Sequence, residues 1–254
     1  MLNRFCPVCN ELRKTGLFQK EGYEYVRCQS CNHIYVDNPN DDTRSNFNPE
    51  GVDIKKYKDR HKQIINLITD VLTPDTLNIA EIGSGIGNFG YLASKYSNKK
   101  LHYTGYEPSV KRCDFSKLHG LNVKNALFDN KQGKFDVVIA DNVLEHVLDP
   151  RSIFKVVSNS LDSGGIFVII VPNRYDIRRF MPKWRRRHYW QPSCHINHFS
   201  FGDLKYLSQL YEMEIHSFGM NSLCSDSNIF LKVKTLLDRF GLHIGGLYLY
   251  AIKK

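Results

Sequence analysis

The sequence predicts an α/β protein in which a doubly wound, mostly parallel sheet follows a small N-terminal zinc ribbon. Three observations predict it. Residues 51–254 alternate short apolar runs with helix-period segments, the pattern of strands joined by crossover helices. A glycine-rich segment, Gly83 to Gly90, stands between one such run and one such helix. Four early cysteines form two C-x2-C pairs, a metal-binding spacing.

Taken in order, residues 1–36 hold the cysteines and short β-like runs, and residues 37–50 are rich in Asn, Asp, Pro and Ser, a linker composition. In residues 51–254, Ile64, Ile65, Ile68, Val71 and Leu72 recur at helical period over Tyr57 to Leu72, and Pro74 stops that helix. Leu77 to Ile82 reads as a strand, followed by the Gly-rich turn and a helix to about Tyr96. His102 to Tyr106 is a second strand, and Ser109 caps a helix to His119. Phe135 to Ala140 and Ile166 to Val171 read as buried strands. Between them a helix over Asp149 to Leu161 is expected to stop at Gly164-Gly165. Ser200 caps a helix through Leu210, and Glu214 to Phe218 and Leu247 to Ile252 close the sheet. Ligands are expected at the carboxyl ends of the strands.

The bulk properties exclude several classes. An apolar share of 42% suffices for a core, and no apolar run is long enough to span a membrane. Met1 to Cys9 lacks the charged and apolar regions of a secretory signal. Seven cysteines, an odd number, fit a reducing cytoplasm and a metal site better than a disulfide framework. The formal charge of +9 fits either simple solubility or an anionic partner: nucleic acid, a phosphorylated sugar or a membrane surface. Part of it is local, because Arg174, Arg178, Arg179, Lys183, Arg185, Arg186 and Arg187 fall within fourteen residues.

Cys6, Cys9, Cys28 and Cys31 make C-x2-C-x18-C-x2-C. Each pair places two sulfurs on one turn, and a hairpin brings the pairs together around a tetrahedral Zn2+. Four thiolates fill the coordination sphere, so the ion is expected to be structural; about thirty residues bury too little surface to fold without it.

The segment Glu81-Ile82-Gly83-Ser84-Gly85-Ile86-Gly87-Asn88-Phe89-Gly90 contains G-x-G-x-x-G from Gly85, and Glu107 follows 20 residues after Gly87 at the end of the next strand. That fits a dinucleotide, whose ribose hydroxyls such an acid accepts from. Glu81 argues for another ligand. A pyrophosphate at this helix start disfavours a neighbouring carboxylate, whereas the ammonium and sulfonium of S-adenosylmethionine favour one.

With these residues in view, the chain from about residue 50 onward resembles class I S-adenosylmethionine-dependent methyltransferases of the small-molecule branch. Glu81-x-Gly83-x-Gly85-x-Gly87 resembles their first motif. Phe135-Asp136-Val137-Val138 with Leu144-Glu145-His146-Val147, then Leu161-Asp162-Ser163-Gly164-Gly165 and Pro172-Asn173, resemble their later blocks. The ribbon with Ile34-Tyr35-Val36 and Pro39 is similar to methyltransferases carrying an N-terminal zinc module, sugar-modifying ones among them. The resemblance implies a seven-stranded Rossmann-like sheet and places Glu81, Gly83, Gly85 and Gly87 on the methionine and ribose part of the cofactor. It further places Glu107 on the ribose hydroxyls, Asp129 near the adenine and Asn142 near the reactive end. Asp129 reads equally as an exposed turn residue.

Methyl transfer to a hydroxyl needs a base. The candidates are His146, and His195 in Pro192-Ser193-Cys194-His195-Ile196-Asn197-His198-Phe199-Ser200, which resembles the H-x-x-x-F-S/T element before the last helix of the family. His195 reads as the base or as a brace for that helix. Pro192 and Cys194 stand where ribbon-bearing sugar C-methyltransferases carry a Tyr and a Glu, which argues against C-methylation. The basic, aromatic segment Asn173 to Gln191 reads as a substrate-covering element gripping phosphate or carboxylate, or as a solvated loop. The expected activity is O-methylation of a sugar hydroxyl on an anionic nucleotide-sugar or surface glycan. An RNA methyltransferase and a sugar C-methyltransferase are the alternatives.

Overall fold

The computed structural model describes residues 4–39, 52–181, 190–217 and 245–254. Eleven strands and five α-helices occur among them. The cysteine-bearing N-terminal segment, called the ribbon after the sequence expectation, supplies β1 (Lys14–Lys20), β2 (Tyr23–Cys28) and β3 (Ile34–Val36). Then follow α1 (Lys58–Val71), β4 (Thr76–Ile82), α2 (Asn88–Tyr96), β5 (Lys100–Tyr106), α3 (Val110–Leu118) and β6 (Val123–Lys124). After β7 (Phe135–Asp141) come α4 (Pro150–Ser160), β8 (Leu161–Val171), β9 (Asn197–His198), α5 (Phe201–Leu210), β10 (Met213–Ser217) and β11 (Leu247–Lys253). Ser109 and Ser200 stand at the N-cap positions expected of them, though the Ser109 side chain makes no cap bond; Tyr57 and Asp149, read as first residues of their helices, are the N-caps of α1 and α4. Ser200 forms a reciprocal capping box with Asp203, which satisfies two otherwise orphaned backbone donors.

The main sheet has seven strands in the order β10-β11-β8-β7-β4-β5-β6. β4, β5, β6, β7 and β8 are parallel, and β11 is antiparallel to both β8 and β10. Both faces are covered, and the two-residue period of the central strands divides their side chains between two cores. Phe167, Ile169 and Val171 face one core with Phe154 and Val157 of α4 and Leu204 and Leu207 of α5. Ile166, Val168 and Ile170 face the other with Ile64, Ile65 and Ile68 of α1 and Phe89 and Leu92 of α2. No described helix is long and apolar enough to cross a membrane.

Three features differ from the sequence reading. Gly164-Gly165 does not stop α4: the helix ends at Ser160 and β8 begins at Leu161. The pair lies inside the strand, where Gly164 takes φ +78° and a side chain on Gly165 would meet Asp162 O at 2.8 Å. It coincides with a register shift against β7 between Phe135 and Val137. β6 has two residues, too few to show a period. The ribbon sheet, ordered β1-β2-β3-β9, takes its fourth strand from residues 197–198. Residues 40–50 of the expected linker, Phe218, and Lys183 to Tyr189 of the basic segment lie outside the described residues.

Gly90 packs α2 against β5: a Cβ there would stand 2.4 Å from the Tyr103 ring. That ring is fixed at its far end, where Tyr103 Oη donates to Glu81 Oε2 at 2.5 Å. Gly90→Ala is therefore expected to overpack this layer and cost about 1–3 kcal/mol. Urea unfolding measures it, and an unchanged midpoint would show that the ring yields freely.

Candidate active site

The sheet order reverses at β4, which has β5 on one side and β7 on the other. A crevice forms at such a reversal, beyond the carboxyl ends of the strands. Here it is a cleft of ≈ 760 Å³ bordered by Glu81, Gly83, Ser84, Gly85, Asp141, Asn142, Glu145, His146 and His195. Arg60 and His61 of α1, Arg112 of α3, and Arg178 also border it.

The loop after β4 is shaped by three left-handed glycines, Gly83, Gly85 and Gly87, with φ between +58° and +79°. At Gly87 a Cβ would meet Leu121 Cδ1 at 2.3 Å, whereas at Gly85 it would project into open space. Gly85 therefore presents bare backbone to the cleft. Its N–H donates to Glu107 Oε2 at 2.9 Å, and Ser109 N donates to Glu107 Oε1 at 2.9 Å. Glu107 thus braces the loop from below and is buried, at 3% exposure. Glu81 is buried in the cleft wall. Burial pushes its carboxyl up to about 8, against the opposing pull of the Tyr103 hydroxyl; the charge of Asp141 adds to the rise.

β7 delivers the next group. Asp141 Oδ2 accepts from Arg60 at 2.7 Å and lies 3.3 Å from His61 Nε2. Asn142 follows at φ +53°, donating its backbone N–H to Ile170 O and its side-chain amide to Asp141 Oδ1. A non-glycine residue held in that region at a cleft is a recurrent mark of function. In the following 3₁₀ turn, Leu144–His146, Glu145 is 1% exposed and neither of its carboxylate oxygens has a hydrogen-bond partner. Burial raises its carboxyl to about 8.

His146 Nδ1 lies 2.7 Å from the carbonyl of Cys194. A carbonyl only accepts, so Nδ1 carries the proton and Nε2 is left as an acceptor. Burial lowers the His146 pKa, which keeps the ring neutral. His195 stands beside it with ring centroids 5.0 Å apart, and one donor atom each from His146, Cys194 and His195 fall within 4.8 Å of one another. His198 is placed differently. It is buried against Trp190 and Tyr25, with its pKa lowered to about 3 by burial, and does not border the cleft. Nor does Asp129, which sits on an exposed turn and accepts from Lys131 N and Gln132 Nε2, each at 2.9 Å.

The ribbon cysteines converge. Cys6 and Cys31 sulfurs are 3.5 Å apart, as are those of Cys9 and Cys28, and all four lie within 4.8 Å of one another. That is too long for a disulfide and close to the roughly 3.8 Å edge of a tetrahedron with metal–sulfur bonds of about 2.3 Å.

The sequence reading missed Arg60, His61, Asp141 and Tyr103. Asp141 carried a signal, an acid at the carboxyl end of a predicted strand. Arg60 and His61 reach the cleft only through the packing of α1, and Tyr103 acts from behind it through its bond to Glu81.

Comparison with known proteins agrees with this geometry. Residues 55–217 match a family model described as a methyltransferase domain. Similar solved structures include an S-adenosylmethionine-dependent methyltransferase of Thermotoga maritima, described as a possible histamine N-methyltransferase. It is 16% identical, covers 79% of this chain and 91% of its own, and has a TM-score of 0.53. An S-adenosylmethionine-dependent methyltransferase of Mesorhizobium loti gives 16%, 74%, 96% and 0.54. The plantazolicin methyltransferase BpumL, solved with S-adenosylhomocysteine, gives 14%, 79%, 85% and 0.56. At these identities the likeness is one of fold. No curated protein matches by sequence.

The raised Glu81 carboxyl predicts a pH-linked affinity for a cationic cofactor. Below about 8 the empty site holds Glu81 protonated, and an ammonium beside it favours the carboxylate, so binding releases a proton. Affinity for S-adenosylmethionine is expected to rise with pH by up to about tenfold per unit toward pH 8 and to fall above it, where the cofactor's own α-ammonium loses its proton. Calorimetry in buffers of different ionisation enthalpy measures the released proton. Glu81→Gln should flatten that rise, and a rise that survives the substitution would assign it to another group.

Proposed function

The chain belongs to the methyltransferase-domain family, and from that premise we propose that it transfers the methyl group of S-adenosylmethionine to a sugar hydroxyl on an anionic nucleotide-sugar or surface glycan. The observation that carries this reading is the His146–His195 pair, which borders the same cleft as Glu81 and the glycine loop. Glu81, Gly83, Gly85 and Asn142, which border the cleft, would hold the ammonium, the methionine and ribose part and the reactive end of S-adenosylmethionine. Gly87 and Glu107 lie behind that lining, and Glu107 would take the ribose hydroxyls alongside the two backbone N–H groups it already accepts from. Asp129 takes the adenine edge only if its turn gives up the bonds to Lys131 and Gln132. When bound, S-adenosylmethionine would supply an electrophilic methyl with a neutral thioether as leaving group, and His195 would take the proton of the acceptor hydroxyl whose oxygen receives that methyl. His146, held neutral with Nδ1–H on Cys194 O, orients that end of the cleft. Arg112 borders the cleft with a charge that suits a phosphorylated acceptor; Arg178 borders it too but is held by Asp176 at 2.6 Å.

Cys6, Cys9, Cys28 and Cys31 hold a structural Zn2+ in this reading, with residues 1–36 as the ribbon, 37–50 as linker and 51–254 as the methyltransferase domain. The closed set of four sulfurs leaves the ion no open position for chemistry.

A cofactor-turnover assay against nucleotide-sugars, glycans and RNA tests the acceptor. Turnover is expected with the sugar class, and turnover with RNA alone would replace this reading by the RNA one. His195→Ala is expected to lower kcat by about 10²–10⁴-fold with little change in cofactor affinity. Full activity in that variant would remove His195 as the base.

A further inference from the structure

The cysteine knot and the two cleft histidines are joined by an unbroken series of contacts running through residues 194–198. On one side lies the ribbon. Strand β3 pairs antiparallel with β9, Ile34 opposite His198 and Tyr35 opposite Asn197, and Val36 N donates to Ile196 O at 2.9 Å. On the other side lies the turn after β7. Ile196 N donates to Glu145 O at 2.8 Å, and His146 Nδ1 donates to Cys194 O at 2.7 Å. The Asn197 side chain closes the clamp. It is 2% exposed, and its amide donates to Leu144 O at 3.2 Å and Val147 O at 2.6 Å. The upstream end is pinned as well, since Trp190 packs edge-on against Tyr25 and Phe18 of the ribbon and Lys20 Nζ donates to its carbonyl at 2.6 Å.

Local bonds fix only the entry to residues 194–198, where Cys194 N and His195 N both donate to Gln191 O. β9 is two residues long, and among the described residues its ladder partner is β3, which is itself three residues long and begins three residues after Cys31. A ribbon this small depends on its cysteine knot for its shape. The cofactor side is tied to it less directly. Glu81, the glycine loop and Glu107 are carried by β4 and β5, which pair with no ribbon strand among the described residues and meet the ribbon only through the apolar cluster that Ala80, Ile82 and Tyr106 share with Cys6, Val26 and Tyr35.

We propose that Asn197 is a positioning residue and that the metal-bound cysteine knot, acting through β3, holds His195 in register with His146. The ribbon contributes no residue to the cleft lining; it then buttresses the acceptor end from behind, and its metal governs methyl transfer without touching the cofactor. This rests on the reading that the two histidines serve the acceptor. A displacement of about 1 Å at such a group can cost on the order of 10²-fold in rate.

The test uses the full chain in three forms: metal-loaded wild type, chelator-stripped wild type, and metal-loaded Asn197→Ala. Deuterium uptake at residues 194–198, the 15N-histidine spectrum and affinity for S-adenosylhomocysteine are measured on each. In the second and third forms, uptake at 195–197 is expected to quicken about tenfold or more. The His146 Nδ1 proton signal should broaden or disappear, while the cofactor-product affinity stays within about threefold. With an acceptor from the panel, kcat should fall in both forms while the KM for the cofactor holds. Unchanged uptake and an unchanged imidazole proton in Asn197→Ala would overturn the proposal. Loss of S-adenosylhomocysteine binding in that variant would overturn it too, because it would mark general unfolding. If stripping the metal unfolds the chain, Asn197→Ala decides by the same criteria. Should His195→Ala retain full turnover, the acceptor reading fails, and the exchange data still report on the clamp.

Discussion

The active end of the molecule depends on one constraint, the parallel pairing of β4 with both β5 and β7. The chain leaves β4 for α2, which packs on the face shared with α1, and leaves β7 for α4, which packs on the opposite face. Two neighbouring strands whose connections part to opposite faces leave a gap between their carboxyl ends. Glu81 is next to last in one strand and Asp141 ends the other, so the gap is lined by acid from the outset. The glycines then allow the first connection to turn without filling that gap.

The acids are not equivalent, and their surroundings explain how. Glu107 has a backbone N–H on each carboxylate oxygen, and Asp141 has Arg60. These two have their counter-dipoles built into the fold. Glu81 has one neutral hydroxyl and Glu145 has no hydrogen-bond partner, and burial pushes both carboxyls up to about 8. A buried carboxyl left short of partners at a cleft is costly unless a ligand completes it. The under-compensated pair therefore marks where a positively charged ligand gains most, while the compensated pair marks where the scaffold is already rigid.

What the sequence could show divides along the same line. β7, β8 and α4 were legible because burial on both faces, or on one face of a helix, writes a period into the chain. The glycine loop, Glu81 and Glu107 were legible because they stand at fixed offsets within one strand–helix–strand unit. The partners of Asp141 were not, since Arg60 and His61 lie about eighty residues earlier and meet it only through the packing of α1. His195 and His198 look alike in sequence, three positions apart. The structure separates them by strand geometry: β9 turns His198 under Trp190 and leaves His195 before the strand, at the cleft. Gly164-Gly165 carried a true signal of backbone irregularity that belonged to a strand and not to the end of a helix.

The ribbon shows the limit of composition as a guide. Its cysteines mark it off sharply, yet the apolar core crosses that boundary. Cys6, Val8, Val26, Cys28 and Tyr35 share one buried cluster with Phe154, Phe167, Phe199 and Leu204. Buried His33 lies 3.3 Å from Asp203 in the first turn of α5, Arg174 donates to Asn32 O, and Arg151 donates to Val8 O. Side chains of residues 151 and 174 reach the ribbon from either end of the α4–β8 unit, so the ribbon cannot move as a body without exposing apolar surface and stranding buried polar groups. A module so attached has little freedom to act as a separate recognition arm. Its rigidity is delivered instead to what it touches, and one of those contacts, the pairing of β3 with β9, ends on the segment that carries His195.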